Sequence, residues 1–97
     1  MTAMSIPAEL ERVAKELNLP PDRLMQRSLR AFLRQEGRAV QMDIADFQDR
    51  YGAISVEELR AQIEKGKVYS HPAWEDSIEW EQLEDYRRRL DQMLTED

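Results

Sequence analysis

Leu10, Val13, Ala14 and Leu17 recur at three- and four-residue steps, which predicts a first helix with one apolar face. Pro7 suits the start of that helix, where its missing N–H would have no partner anyway. Asn18 suits the left-handed residue that closes it. Pro20 and Pro21 stop this helix and open the next, and Asp22 favours the new first turn. Leu24, Met25, Ser28, Leu29, Phe32 and Leu33 then form a second apolar face. Leu29, Leu33, Glu36, Val40, Ile44, Phe47 and Tyr51 keep the alternating spacing straight through Gly37. A glycine inside a helix costs only ~1 kcal/mol relative to alanine. The pattern therefore predicts one long helix, or two nearly collinear ones, ending at Gly52. A seam this long packs on another helix, and a second copy of the chain is the expected source. Leu29, Phe32, Leu33, Val40, Ile44 and Phe47 are its expected dimer contacts.

Ser55-Val56-Glu57-Glu58 forms a capping box, with Ile54 and Leu59 placed to make a hydrophobic staple. The short helix it opens ends at Gly66. Pro72 fits the first position of a last helix that runs to about Leu94. That helix is apolar on two sides. Trp74 and Ile78 lie on one, while Trp80, Leu83, Leu90 and Leu94 lie roughly opposite, with Tyr86 nearby. Such a helix has two things to cover: its own domain and a partner. At the other end, Thr2, Met4 and Ile6 alternate with Ala3 and Ser5, which permits a brief strand. The expected fold is all-α, with room for that one short N-terminal strand.

Charge adds a second asymmetry. The 97 residues carry a net charge of -6, and residues 51–97 hold the whole excess, with six Lys/Arg against twelve Asp/Glu. Arg23, Arg27, Arg30, Arg34 and Arg38 stack along the polar side of the second helix, with Glu36 the one acid among them. Between Glu75 and Asp85 there are six acids and no base. The arginines suit a polyanion, and the acids suit a basic protein. Because the acids lack local bases before Arg87-Arg88-Arg89, they are expected to repel one another until a partner arrives.

Other chemistry is sparse. The chain has no cysteine and one histidine, His71, set beside Pro72 as in a turn. No catalytic triad spacing, glycine-rich phosphate loop or metal-ligand spacing occurs. Asp43, Asp46 and Asp49 repeat every third residue, which on a helix reads as a solvated edge. A non-enzyme without cofactor or metal is expected. No apolar run approaches the ~18 residues that span a membrane. No signal-peptide pattern opens the chain, which sets the expectation of a cytoplasmic protein.

The residues from Met4 to Arg34 resemble the ribbon–helix–helix DNA-binding family, common among bacterial and archaeal antitoxins. The resemblance lies in Ile6-Pro7, in Ala14-Lys15-Glu16-Leu17-Asn18-Leu19, in Arg23-Leu24-Met25 and in Ser28-Leu29-Arg30-Ala31-Phe32-Leu33. The later run Tyr51-Gly52, Ser55-Val56-Glu57-Glu58-Leu59, Gly66 and Trp74 to Glu81 is similar to the tails of small antitoxin-like proteins. The resemblance implies a strand that pairs with its twofold mate and enters the major groove, and a second helix in the dimer core. Where the family's strand presents basic or polar groups, this chain has Ala3 and Ser5, which offer little base readout. Where the family's second helix opens with a cap and free N–H groups, this chain has Pro20 and Pro21.

Three segments follow: a ribbon–helix–helix-like dimerisation module at 1–36, a helical extension at 37–66, and an acidic partner-binding helix at 67–97. The expected function is antitoxin-like. The N-terminal half dimerises and binds DNA, non-specifically or at its own promoter, through Ser5, Arg23, Arg27, Arg30, Arg34 and Arg38. The C-terminal helix neutralises a basic protein, in the antitoxin case a toxin, through Trp74, Glu75, Asp76, Ile78, Glu79, Trp80 and Leu83. The alternative is a homodimeric helical interaction module with no nucleic-acid role. A third reading is a small stabilising subunit of a larger enzyme.

Overall fold

The computed structural model describes residues 6–96. They form four helices: α1 (Ala8–Leu17), α2 (Pro21–Tyr51), α3 (Val56–Glu64) and α4 (Ser70–Thr95). Among the described residues there is no strand. The brief strand considered for the N-terminus, and Ser5 within it, lie outside them. Ile6 is exposed and outside any regular element.

The helix ends follow from local chemistry. Asn18 closes α1 with φ 61°, and the Leu19 N–H donates back to the Ala14 carbonyl at 2.9 Å. Gly52 (φ 59°) and Gly66 (φ 71°) repeat the device. There the Ala53 N–H reaches the Gln48 carbonyl, and the Lys67 N–H reaches that of Gln62. Each bond satisfies a carbonyl that the helix leaves open, and each needs a residue tolerant of positive φ. Ser55 caps α3, its Oγ accepting the Glu58 N–H at 3.1 Å. Ile54, expected to staple onto Leu59, is instead 77% exposed, while Leu59 is fully buried. The cap thus relies on Ser55 alone, and Ser55→Ala should cost ~1 kcal/mol in chemical denaturation.

α2 runs unbroken through Gly37 for 31 residues. A Cβ built at Gly37 meets nothing within 4 Å, so no tight packing inside the chain calls for a glycine there.

The chain divides into two compact units, residues 1–33 and 34–97. In the second, α3 packs against α4, and the last turns of α2 join the same core. Val40, Ile44, Phe47, Ala53, Val56, Leu59, Ala73, Trp80 and Leu90 are buried. Fully burying one such leucine contributes ~1.5–3 kcal/mol. Phe47 and Trp80 stack with centroids 6.0 Å apart. The Trp80 indole N–H donates to Glu84 at 3.2 Å, so its polar edge is satisfied. Ser77 is buried too. Its hydroxyl donates to the Trp74 carbonyl at 2.7 Å and accepts from Arg60 Nε at 3.3 Å. Val40, Ile44 and Phe47 were expected on a dimer seam. A single chain covers them, because α3 and α4 supply the apolar surface that a second copy was expected to bring.

The first unit is different. α1 and the start of α2 bury Ala14, but Val13, Leu17, Leu29 and Phe32 are exposed, the last three by more than half. Leu10, Leu24, Met25 and Leu33 are half-buried.

Candidate functional site

α4 carries most of the residues expected to meet a partner, and its packing sorts them. Trp80 is 0% exposed and cannot anchor anything outside the chain, so its assignment to a partner surface is corrected. Trp74 is 48% exposed and Ile78 38%, one turn apart on the side the core does not use. The Arg60 guanidinium lies 5.2 Å from the Trp74 ring centre and also pairs with Glu81 at 3.3 Å. Glu75 and Glu79 occupy the adjoining exposed arc, and Leu83 is half-buried.

Of the six clustered acids of α4, all but Glu79 are already paired within the chain, among the described residues. Asp76 accepts from Arg50 Nη1 at 2.9 Å and from the Tyr51 hydroxyl, and its side chain is only 17% exposed. It is a tie to the end of α2, which corrects its expected partner role. Glu75 meets His71, Glu84 meets Arg87, and Asp85 meets Arg88. The expectation of a self-repelling acidic run therefore fails. Its counter-charges come from α2 and α3 as well as from α4 itself, and sequence neighbourhood shows only the last of these. The hydrogen bond to Asp76 is the main cause that raises the Arg50 pKa. Burial, then the same carboxylate, raises that of Tyr51. The neutral phenol is thus favoured in the folded chain. Its contribution is present below the usual tyrosine range and is lost as pH rises through the elevated value.

One cleft of about 310 Å³ between α2 and α4 gathers what remains. Asp43 and Asp46 line it from α2, and Glu79 and Leu83 line it from α4, with Phe47 and Arg50 beside them. Arg50 is held there, its guanidinium 5.2 Å from the Phe47 ring centre and tied to Asp76. Among the described residues Asp43, Asp46 and Glu79 have no ion-pair partner. In sequence, Asp43 and Asp46 read as a solvated edge. The signal that could have found them is Glu79, but nothing local places it opposite. Asp49 does not line the cleft. Among the described residues, no group of three His, Cys, Asp or Glu could hold a metal ion.

The α2 arginines divide between the units. Arg23, Arg27 and Arg30 belong to the first, with Arg23 and Arg27 exposed and Arg30 half-buried. Arg34 and Arg38 belong to the second, both exposed. Of the expected seam residues, Leu29 at 59% and Phe32 at 55% exposure remain open, and Leu33 partly so. No helix among the described residues is long and apolar enough to cross a membrane.

Residues 1–96 match the family model described as "Uncharacterized protein MJ0235 family", and the chain belongs to that family. No curated protein and no solved structure matches it.

Proposed function

We propose that this family member is an antitoxin-like adaptor. It dimerises through the degenerate ribbon–helix–helix-like helix pair of residues 1–33. It meets nucleic-acid phosphate with the α2 arginines, and it receives a basic protein partner on the second unit. The observation that carries the reading is the helix pair itself. Two helices that bury Ala14 while leaving Leu17, Leu29 and Phe32 largely exposed have not completed their core. A second copy would supply the missing surface at the lowest cost in new sequence.

The partner surface is narrower than the whole C-terminal helix. It consists of Trp74, Ile78, Glu75 and Glu79, continuing into the acidic cleft at Asp43 and Asp46. A half-exposed tryptophan and isoleucine beside Asp43, Asp46 and Glu79, which have no ion-pair partner among the described residues, suit a basic, partly apolar protein face. A toxin that acts on RNA is the partner of this chemistry, and its gene is expected beside this one. The test is capture of the neighbouring gene product. Trp74→Ala combined with Glu79→Lys should weaken capture by tenfold or more while melting stays unchanged. Equal capture by the double variant would remove this surface from the reading.

The second reading is a homodimeric interaction module without nucleic acid. Pro20 and Pro21 favour it, since they take two N–H donors from the start of α2. Salt dependence separates the two. Each duplex phosphate neutralised adds ~0.9 to the magnitude of the log–log slope. Replacing Arg23 and Arg27 with Gln should flatten the slope for promoter DNA by about that amount per site. Absence of binding at low salt would leave the interaction module as the function.

A further inference from the structure

A second cleft between α2 and α4, of about 380 Å³, lies over Gly37. Arg34 and Arg38 line it from α2, Arg87 lines it from α4, and Gln41 adds an amide. Asp91 is the one acid in the lining, so the three arginines leave a clear positive excess. All of these residues belong to the second unit. Arg87 pairs with Glu84 at 2.9 Å, yet a guanidinium has five N–H donors and keeps several for another acceptor. Gly37 is the unexplained part. A glycine weakens the middle of a helix, and a side chain there would meet nothing within 4 Å. The bare backbone leaves a floor between Arg34 and Arg38 onto which a small, highly charged group can settle. The amides of α2 are spent within the helix, so recognition must come from the guanidiniums. Their planar, forked donors match the oxygens of a phosphate.

We propose that the Gly37 cleft is a phosphate-binding site, with Arg34, Arg38 and Arg87 as its ligands. It takes the phosphate of a nucleic-acid backbone or of a free phosphorylated small molecule. The inference deepens the phosphate-contact part of the function above, but it needs neither the dimer nor the protein partner.

The probe is inorganic pyrophosphate, titrated at constant ionic strength into the full chain while amide resonances and melting are followed. A saturable shift centred on Gly37 is expected. Arg87→Gln and Gly37→Leu should each weaken it at least tenfold, and Lys65→Gln, which removes a charge elsewhere on the second unit, should leave it unchanged. Gly37→Leu should also raise the melting temperature, so its loss of binding would not reflect unfolding. Promoter duplex serves as the second arm. Weaker duplex binding by Arg87→Gln supports the cleft with nucleic acid as the phosphate source. Pyrophosphate binding with a duplex response insensitive to Arg87→Gln, or with no duplex binding, supports the cleft with a free phosphorylated ligand. No saturable pyrophosphate shift, or equal weakening by Lys65→Gln, overturns the site even if Arg23 and Arg27 hold DNA.

Discussion

Trp80→Ala should unfold the second unit at or near physiological temperature. The indole is 0% exposed, stacks on Phe47 and donates to Glu84, so Phe47 and Glu84 each lose a partner and the core loses its largest fully buried side chain. Replacing a buried aromatic side chain with alanine costs ~3–5 kcal/mol, through lost transfer energy and the cavity left behind. Small domains have only ~5–15 kcal/mol in total. Loss of a cooperative melt by circular dichroism is the expected result. The same packing sets the outcome of a truncation. Removing the chain from Pro72 onward deletes Ala73, Ser77, Trp80 and Leu90 from the core, so the remainder of that unit should not stay folded. Retained melting in either variant would mean that Trp80 is not where the core lies.

The double change Leu29→Asp and Phe32→Asp should halve the mass in solution without altering the melting of the second unit. In one chain both side chains are more than half exposed, and exposed substitutions are usually worth within ~0.5 kcal/mol. In a dimer that covers them, each becomes a buried carboxylate without a partner, which costs several kcal/mol. Two such groups on each copy remove micromolar association. Sedimentation of wild type and variant decides the matter. A wild type that is already monomeric at micromolar concentration, or a variant that remains a dimer, overturns self-association through residues 1–33.

The helix boundaries were legible because they rest on chemistry within a few residues. Asn18, Gly52 and Gly66 each sit where a helix needs positive φ, and Ser55 sits where it needs an oxygen for the Glu58 amide. The continuity of α2 was legible for a similar reason. One glycine costs ~1 kcal/mol, less than the burial that the apolar spacing on both sides secures. Membership of an all-helical class followed from those same periods.

Only the tertiary structure decided which of the two apolar sides of α4 faces inward. Trp74 and Trp80 both lie on apolar sides, and helical periodicity treats those sides alike. The choice depends on the shape that Phe47, Val56 and Leu59 leave open, which comes from residues far away in sequence. Long-range contact also decided the charges. Asp76 is tied to Arg50, 26 residues away, and Glu36 accepts the Tyr86 hydroxyl across 50 residues. A run of acids is visible in sequence, but its partners are not, since an ion pair depends on distance in space. For the same reason Asp43 and Asp46 acquire a role only when Glu79 is set across the cleft from them, and Gly37 only when Arg87 is.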